Sequence, residues 1–99
     1  SDLNIGFGYD NQGNYKEAVR YYLKSLKIRK HFFGEKHPDV ASIYHNLGVI
    51  FHEMYDHGGA IKMSQKAMTI ERSIFKNDHP RLMSSKENIK IFNLFQELV

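Results

Sequence analysis

The chain has 99 residues, of which 41% are hydrophobic and 25% are charged, so it can build one small core and is not a disordered tail. It contains no cysteine, which excludes disulfides and thiolate metal sites, and its apolar run Val49, Ile50, Phe51 falls far short of the roughly 20 residues that span a membrane. The net charge of +3 favours acidic partners, and we expect a cytoplasmic protein without a membrane segment.

Five helices are predicted, because apolar residues recur at three- and four-residue spacings in segments that are separated by short polar breaks. Prolines mark the starts of some of these segments. No segment is predicted as a strand, so the fold class is all-α. The predicted helices run approximately from Asp2 to Gln12, Tyr15 to Phe33, Pro38 to Met54, Gly59 to Phe75, and Pro80 to Leu98.

The chain also repeats itself with a period of 42 residues, two helices to each period. The aligned identities are Asn4 with Asn46 and Asn88, Gly6 with Gly48, Ala18 with Ala60, Lys24 with Lys66, Ile28 with Ile70, Phe33 with Phe75, His37-Pro38 with His79-Pro80, and Ser42 with Ser84. This pattern predicts a right-handed α-solenoid of antiparallel helix hairpins in a single domain, 1–99. Its repeats cover approximately 1–37 and 38–79, with a half repeat over 80–99, and we expect a fragment of a longer array.

The residues inside each period resemble the tetratricopeptide repeat. The resemblance lies in Tyr44-x-x-Leu47-Gly48-x-x-Phe51 followed by Ala60, in which the small Gly48 and Ala60 let the two helices approach closely. The linker GEKHPDVA and its echo KNDHPRLM resemble the repeats of kinesin light chains and their relatives. This resemblance implies a non-enzymatic adaptor or scaffold that binds other proteins, with cargo or motor-complex recruitment as one setting.

The predicted binding site is the concave face lined by the first helix of each hairpin, where a short peptide of a partner protein would lie. Asparagine amides can hold a peptide backbone because they donate and accept hydrogen bonds, and in the resembled family asparagines at this place commonly do so. The alternative is that these amides bond neighbouring helices and fix the superhelix. The candidate residues are Asn4, Phe7, Asn11, Ser42, His45, Asn46, Val49, His52, Asn88 and Ile91.

Within this set, Phe7, Val49 and Ile91 are expected to offer apolar contacts, and His45 and His52 to accept acidic side chains better as the pH falls. No cofactor, metal site or catalytic residue is predicted. His52 and His57 miss the spacing of the HExxH zinc motif by one residue, and no phosphate loop or nucleophile motif is present. His37 and His79 are interpreted as structural residues at helix starts.

Two other interpretations remain open. The last helix is apolar nearly all round, which favours a structural or self-associating segment; its apolar residues are Ile89, Ile91, Phe92, Leu94, Phe95, Leu98 and Val99. A basic row at helical spacing indicates a solvated outer face, with RNA binding as a less favoured alternative. That row consists of Lys16, Arg20, Lys24 and Lys27.

Overall fold

The computed structural model describes residues 14–98, and this part of the chain consists of four α-helices and no strand. The helices are α1 (Tyr15–Phe33), α2 (Pro38–Glu53), α3 (His57–Ile74) and α4 (Pro80–Leu98). The predicted helix over 2–12, with candidates Asn4, Phe7 and Asn11, lies outside the described residues. The all-α solenoid fold is confirmed.

The helices pack in chain order around one core. Helix α2 makes its most extensive contact with α3, which in turn packs against α4, while α1 covers the other side of α2. The core cluster consists mainly of apolar side chains of α1, α2 and α3, among them Ala18, Tyr22, Val40, Ile43, Leu47, Ile50, Ala67 and Ile70. Within residues 14–98, no helix is both long enough and apolar enough to cross a bilayer.

The hairpin of α2 and α3 closes through small residues, as the sequence predicts. A Cβ atom placed on Gly48 would lie 2.8 Å from Ser64 Oγ and 3.2 Å from the backbone oxygen of Ala60. The first distance is shorter than real Cβ contacts and the second is tight, so a side chain at position 48 would require Ser64 or the backbone near Ala60 to shift. The close approach of the two helices therefore depends on the absence of a side chain at this position.

Equivalent histidines immediately precede α2 and α4. His37 Nδ1 accepts a hydrogen bond from the backbone N–H of Asp39 at 3.1 Å, and its ring stacks on Phe33 at a centroid distance of 4.5 Å. In the next linker, His79 Nδ1 accepts from the N–H of Arg81 at 3.2 Å, with Phe75 stacked at 3.8 Å. Each histidine therefore caps a helix, which confirms the structural role predicted for both.

The start of α3 differs from the prediction. The helix begins at His57, two residues before the predicted Gly59, because Asp56 acts as its N-cap and accepts a hydrogen bond from the N–H of Gly59 at 3.0 Å. Tyr55 provides the reversal before it with a φ of 64°. Helices α2 and α3 each end one residue earlier than predicted, at Glu53 and Ile74.

Candidate peptide-binding groove

A polar cleft of about 270 Å³ lies where α2, α3 and α4 meet. It is lined by Ser42, His45 and Asn46 of α2, by Glu71 of α3, and by Arg81 and Ser84 of α4. We call this cleft the groove. Three of the predicted site residues, Ser42, His45 and Asn46, are thus brought together on one surface, and they come from one face of one helix.

The amide of Asn46 is available to a ligand. Its side chain is half-buried and makes no hydrogen bond with any other residue between 14 and 98. The same holds for Asn88 on α4 within the described residues, although Asn88 is not part of the groove lining. The contacts in this part of the chain therefore give no support to the alternative in which these asparagines tie neighbouring helices together.

Arg81 is a groove residue that the sequence interpretation missed. Its guanidinium donates hydrogen bonds to Ser42 Oγ and, at 3.4 Å, to the backbone oxygen of Pro38, so it joins the start of α4 to the start of α2. It also lies over the Phe75 ring, 6.0 Å from the centroid. A signal was present in the sequence, because a cation in the first turn of a helix opposes the helix dipole and needs another partner.

Glu71 is a second groove residue that was not predicted from the sequence. Its side chain is only 1% exposed, and its Oε1 accepts a hydrogen bond from Ser85 Oγ at 2.6 Å. Burial raises the pKa of Glu71, while the bond from Ser85 and the nearby Arg81 and His79 act in the opposite direction. The available signal was its spacing, because Glu71 continues the fully buried stripe of Ala60, Ser64 and Ala67.

The groove contains one histidine whose pKa is shifted by its surroundings. Burial lowers the pKa of His45, and the positive charge of Arg81 lowers it further. His45 is therefore neutral at neutral pH, and it attracts acidic side chains only in more acidic solution. Arg81 is the permanently charged cation of the groove. The carboxyl group of Glu71 interacts with this charge and balances part of it.

His52, Val49 and Ile91 do not line the groove. The ring of His52 packs against Phe92 and Phe95 of α4, each at a centroid distance of 4.7 Å, and its Nδ1 lies 3.2 Å from Nδ1 of His57. Burial, and then the neighbouring His57, lower the pKa of His52, while Glu53 opposes this shift. His52 thus lies in a helix junction. Val49 is half-buried and Ile91 is exposed.

Between residues 14 and 98, no three His, Cys, Asp or Glu side chains lie close enough together to hold a metal ion.

The basic row is exposed along α1, and Arg20 donates to Glu17 Oε1 at 2.8 Å, as expected for a solvated helix face.

Helix α4 exposes much of its apolar surface. Leu82 and Phe92 are buried against the rest of the molecule, but Leu94 is 59% and Leu98 82% exposed. Three positions of α4 are equivalent, one repeat later, to positions on the side of α2 that faces α3, but they carry polar residues. These are Lys86, Lys90 and Asn93, all exposed, where the middle repeat has Tyr44, Gly48 and Phe51.

Comparison with known proteins agrees with this geometry. A family model described as tetratricopeptide repeat matches residues 1–73. The clustered mitochondria protein homologs of Coccidioides immitis and Emericella nidulans are 27% and 26% identical over 70 residues, which is 71% of this chain and 6% of each relative. The chain therefore spans only a small part of these proteins.

Among solved structures, the crystal structure of BtubC (BKLC) from P. vanneervenii superposes with a TM-score of 0.90 at 22% identity, over 97% of this chain and 39% of that one. This match shows that the chain has the same helical-repeat fold as that protein. Together with the repeat of 42 residues and the hairpin closed at Gly48, the family match shows that the chain belongs to the tetratricopeptide repeat family, whose members generally mediate interactions between proteins.

Proposed function

We propose that this chain is an adaptor or scaffold module that holds a short peptide of a partner protein in the groove. The observation that carries the proposal is Asn46, a half-buried amide without a hydrogen-bond partner among residues 14–98, placed in a cleft with other polar side chains. An amide in a cleft that has no partner among these residues keeps its donors and its acceptor available for a ligand. An extended peptide backbone offers both the donor and the acceptor that Asn46 can pair with.

The groove favours an acidic peptide. Arg81 uses only part of its five N–H donors on Ser42 and Pro38, so the remaining donors can bind a carboxylate of the ligand. The overall charge of +3 would increase the rate of association with such a peptide. We place this activity in the cytoplasm, and the resemblance to kinesin light chains suggests cargo or motor-complex proteins as partners.

The test is a peptide-display selection on the immobilised chain, followed by fluorescence anisotropy with a synthetic copy of the selected sequence. Asn46→Ala should weaken binding about fivefold, because one lost hydrogen bond costs about 1 kcal/mol and 1.4 kcal/mol corresponds to a factor of ten. Gln65→Ala is the matched control, since Gln65 is an exposed amide on α3 outside the groove. Equal affinities for the wild type and Asn46→Ala would reject the proposal.

A second candidate function is self-association through α4. Its supporting observation is the exposure of Leu94 and Leu98, because apolar residues that cluster on one surface mark interaction sites. Sedimentation velocity over a dilution series measures this directly. Leu94→Glu should turn a dimer into a monomer, whereas Asn93→Glu, on the polar side of the same helix, should leave the dimer intact. A monomer at every concentration would eliminate this candidate.

A further inference from the structure

A second cleft, of about 320 Å³, lies between the end of α1, the middle of α2 and the second half of α3. It shares no lining residue with the groove. Its lining consists of Lys30, Glu35, Tyr44, Lys66, Thr69 and Ile70. Helix packing thus places two lysines that are distant in the sequence in the lining of one cleft, where an anion would be attracted to both.

Tyr44 is the centre of this cleft. The residue is only 8% exposed, and the ammonium groups of Lys30 and Lys66 lie 5.7 Å and 5.8 Å from the centroid of its ring. Hydrogen bonding with Tyr44 raises the pKa of Lys30 and outweighs the effect of burial. Lys30 is therefore firmly protonated.

The counter-charge in the cleft is weakly held. Glu35 Oε1 lies 3.5 Å from Lys30 Nζ, and the glutamate side chain is 78% exposed. Exposed ion pairs of this kind contribute little to stability, so a stronger anion can displace Glu35. Lys66 forms no salt bridge with any residue between 14 and 98.

The remaining lining restricts the kind of ligand. The Thr69 hydroxyl already donates to the backbone oxygen of Gln65 at 2.9 Å, so the donors that can reach a ligand are N–H groups of the two ammonium groups and the Tyr44 hydroxyl. Ile70 is buried and provides an apolar wall, which strengthens electrostatic attraction by excluding water. Such a site suits a compact anion with several acceptor oxygens and more than one negative charge.

We propose that this cleft binds a phosphate group between Lys30 and Lys66, with the Tyr44 hydroxyl as the third donor. A phosphate monoester carries about −1.5 to −2 charges and three acceptor oxygens, which matches two cations and one hydroxyl better than the single charge of Glu35 does. The same chemistry is available from free phosphate and from a phosphorylated side chain of a partner protein.

The experiment is an NMR titration of the isotopically labelled chain with inorganic phosphate, with chloride used to keep the ionic strength constant. Backbone resonances of Tyr44, Lys66 and Thr69 should shift and reach saturation. Lys30→Gln and Lys66→Gln should each weaken binding about fivefold or more, since each removes one of two charges that face the anion. Lys62→Gln, which removes an exposed lysine of the same helix outside the cleft, should change nothing.

Glu35→Gln should change the affinity for phosphate in the opposite direction. Loss of this competing carboxylate should tighten phosphate binding about threefold, because the pair it forms with Lys30 is worth less than about 1 kcal/mol. Glu17→Gln makes the same change in net charge away from the cleft and should have no effect. A shift that does not saturate, or equal effects of Lys62→Gln and Lys66→Gln, would overturn the proposal.

A second titration identifies the source of the phosphate group. O-phosphoserine that produces the same saturating shifts, with serine inactive, supports a phosphorylated side chain as the ligand. Shifts with inorganic phosphate but not with O-phosphoserine support a site for the free anion. No saturating shift with either probe would reject the site.

Discussion

Gly48 and Ser64 form a close contact between α2 and α3. Ser64 Oγ is buried and has no hydrogen-bond partner among the residues that the structure describes. Its hydroxyl therefore has lost water without gaining a replacement, which costs free energy. At this position, close packing of the two helices leaves a buried hydroxyl without a hydrogen bond among the described residues.

We predict that Gly48→Ala lowers the free energy of unfolding by about 1–3 kcal/mol, because its Cβ would meet Ser64 Oγ and the backbone of Ala60. Ser64→Ala should be neutral or stabilising, since it removes a buried hydroxyl that makes no bond among the described residues. Urea denaturation with an unchanged m value measures both effects.

The matched control is Gly58→Ala. Gly58 also lies in a helix, but the nearest atom to its added Cβ is Gln96 Nε2 at 3.5 Å, an ordinary contact. This substitution should stabilise the protein by about 0.5–1 kcal/mol, the usual gain from glycine to alanine in a helix. If Gly48→Ala stabilised the protein to the same extent, the close-contact explanation would be wrong.

Two adjacent residues determine the conformation of the chain between α2 and α3. Tyr55 adopts the left-handed conformation that reverses the chain, and Asp56 then caps α3. The conformation of Tyr55 is unfavourable for a residue with a Cβ atom and costs about 1–2 kcal/mol. Since its side chain is 85% exposed, little packing compensates for that cost.

Tyr55→Gly should therefore raise the free energy of unfolding by about 1 kcal/mol, because glycine adopts a positive φ without steric cost. Thermal and urea denaturation provide the measurement. Tyr55→Ala serves as the control, because alanine removes the same aromatic ring but keeps the Cβ atom. A gain of equal size with alanine would show that the ring, and not the backbone conformation, is the cause.

The attachment of α4 to the rest of the molecule depends in part on two histidines. Nδ1 of His52 and Nδ1 of His57 share one hydrogen bond at 3.2 Å, so one of these nitrogens has to accept and therefore has to be unprotonated. Phe95 of α4 lies against both rings, at 4.7 Å from His52 and 5.6 Å from His57. Protonation of both histidines would place two N–H groups and two charges against each other.

The sign of the resulting pH dependence follows from the pKa of His52, which is lowered from 6.5 in the folded state. The unfolded chain then binds a proton more readily than the folded chain, so stability present above pH 6.5 is lost as the pH falls. His45 acts in the same direction, also from 6.5. Glu71 acts in the opposite direction, because its pKa is raised from 4.5 and the stability that it contributes is lost as the pH rises.

We predict that α4 loses protection from hydrogen exchange before α1 does when the pH is lowered from about 7.5 to 5.5, the range in which histidine titrates. His52→Gln should reduce this loss, since glutamine can bond His57 but does not titrate. His31→Gln, a substitution of an exposed histidine on α1, should behave like the wild type. Equal loss of protection in His52→Gln and the wild type would contradict the proposed role of the pair.

Much of this architecture was predictable from the order of residues alone, because helix formation and repetition are local properties. The spacing of apolar residues, the recurrence of His-Pro and the small Gly48 and Ala60 indicated hairpins, their period and their closest contact. Each of these signals is contained within a few turns of chain. The face of a single helix also follows from its periodicity. For this reason the sequence predicted the exposed basic row of α1 and the shared face of Ser42, His45 and Asn46.

Only the tertiary structure decided which side chains of different helices meet. Arg81 reaches Ser42 across 39 residues, Glu71 is buried beside Ser85, and His52 packs against Phe95. The cleft around Tyr44 arises in the same way. These pairings depend on the angle and offset at which one helix packs on the next, and on the rotamers that the packing permits. A periodic pattern along one helix contains no information about either quantity.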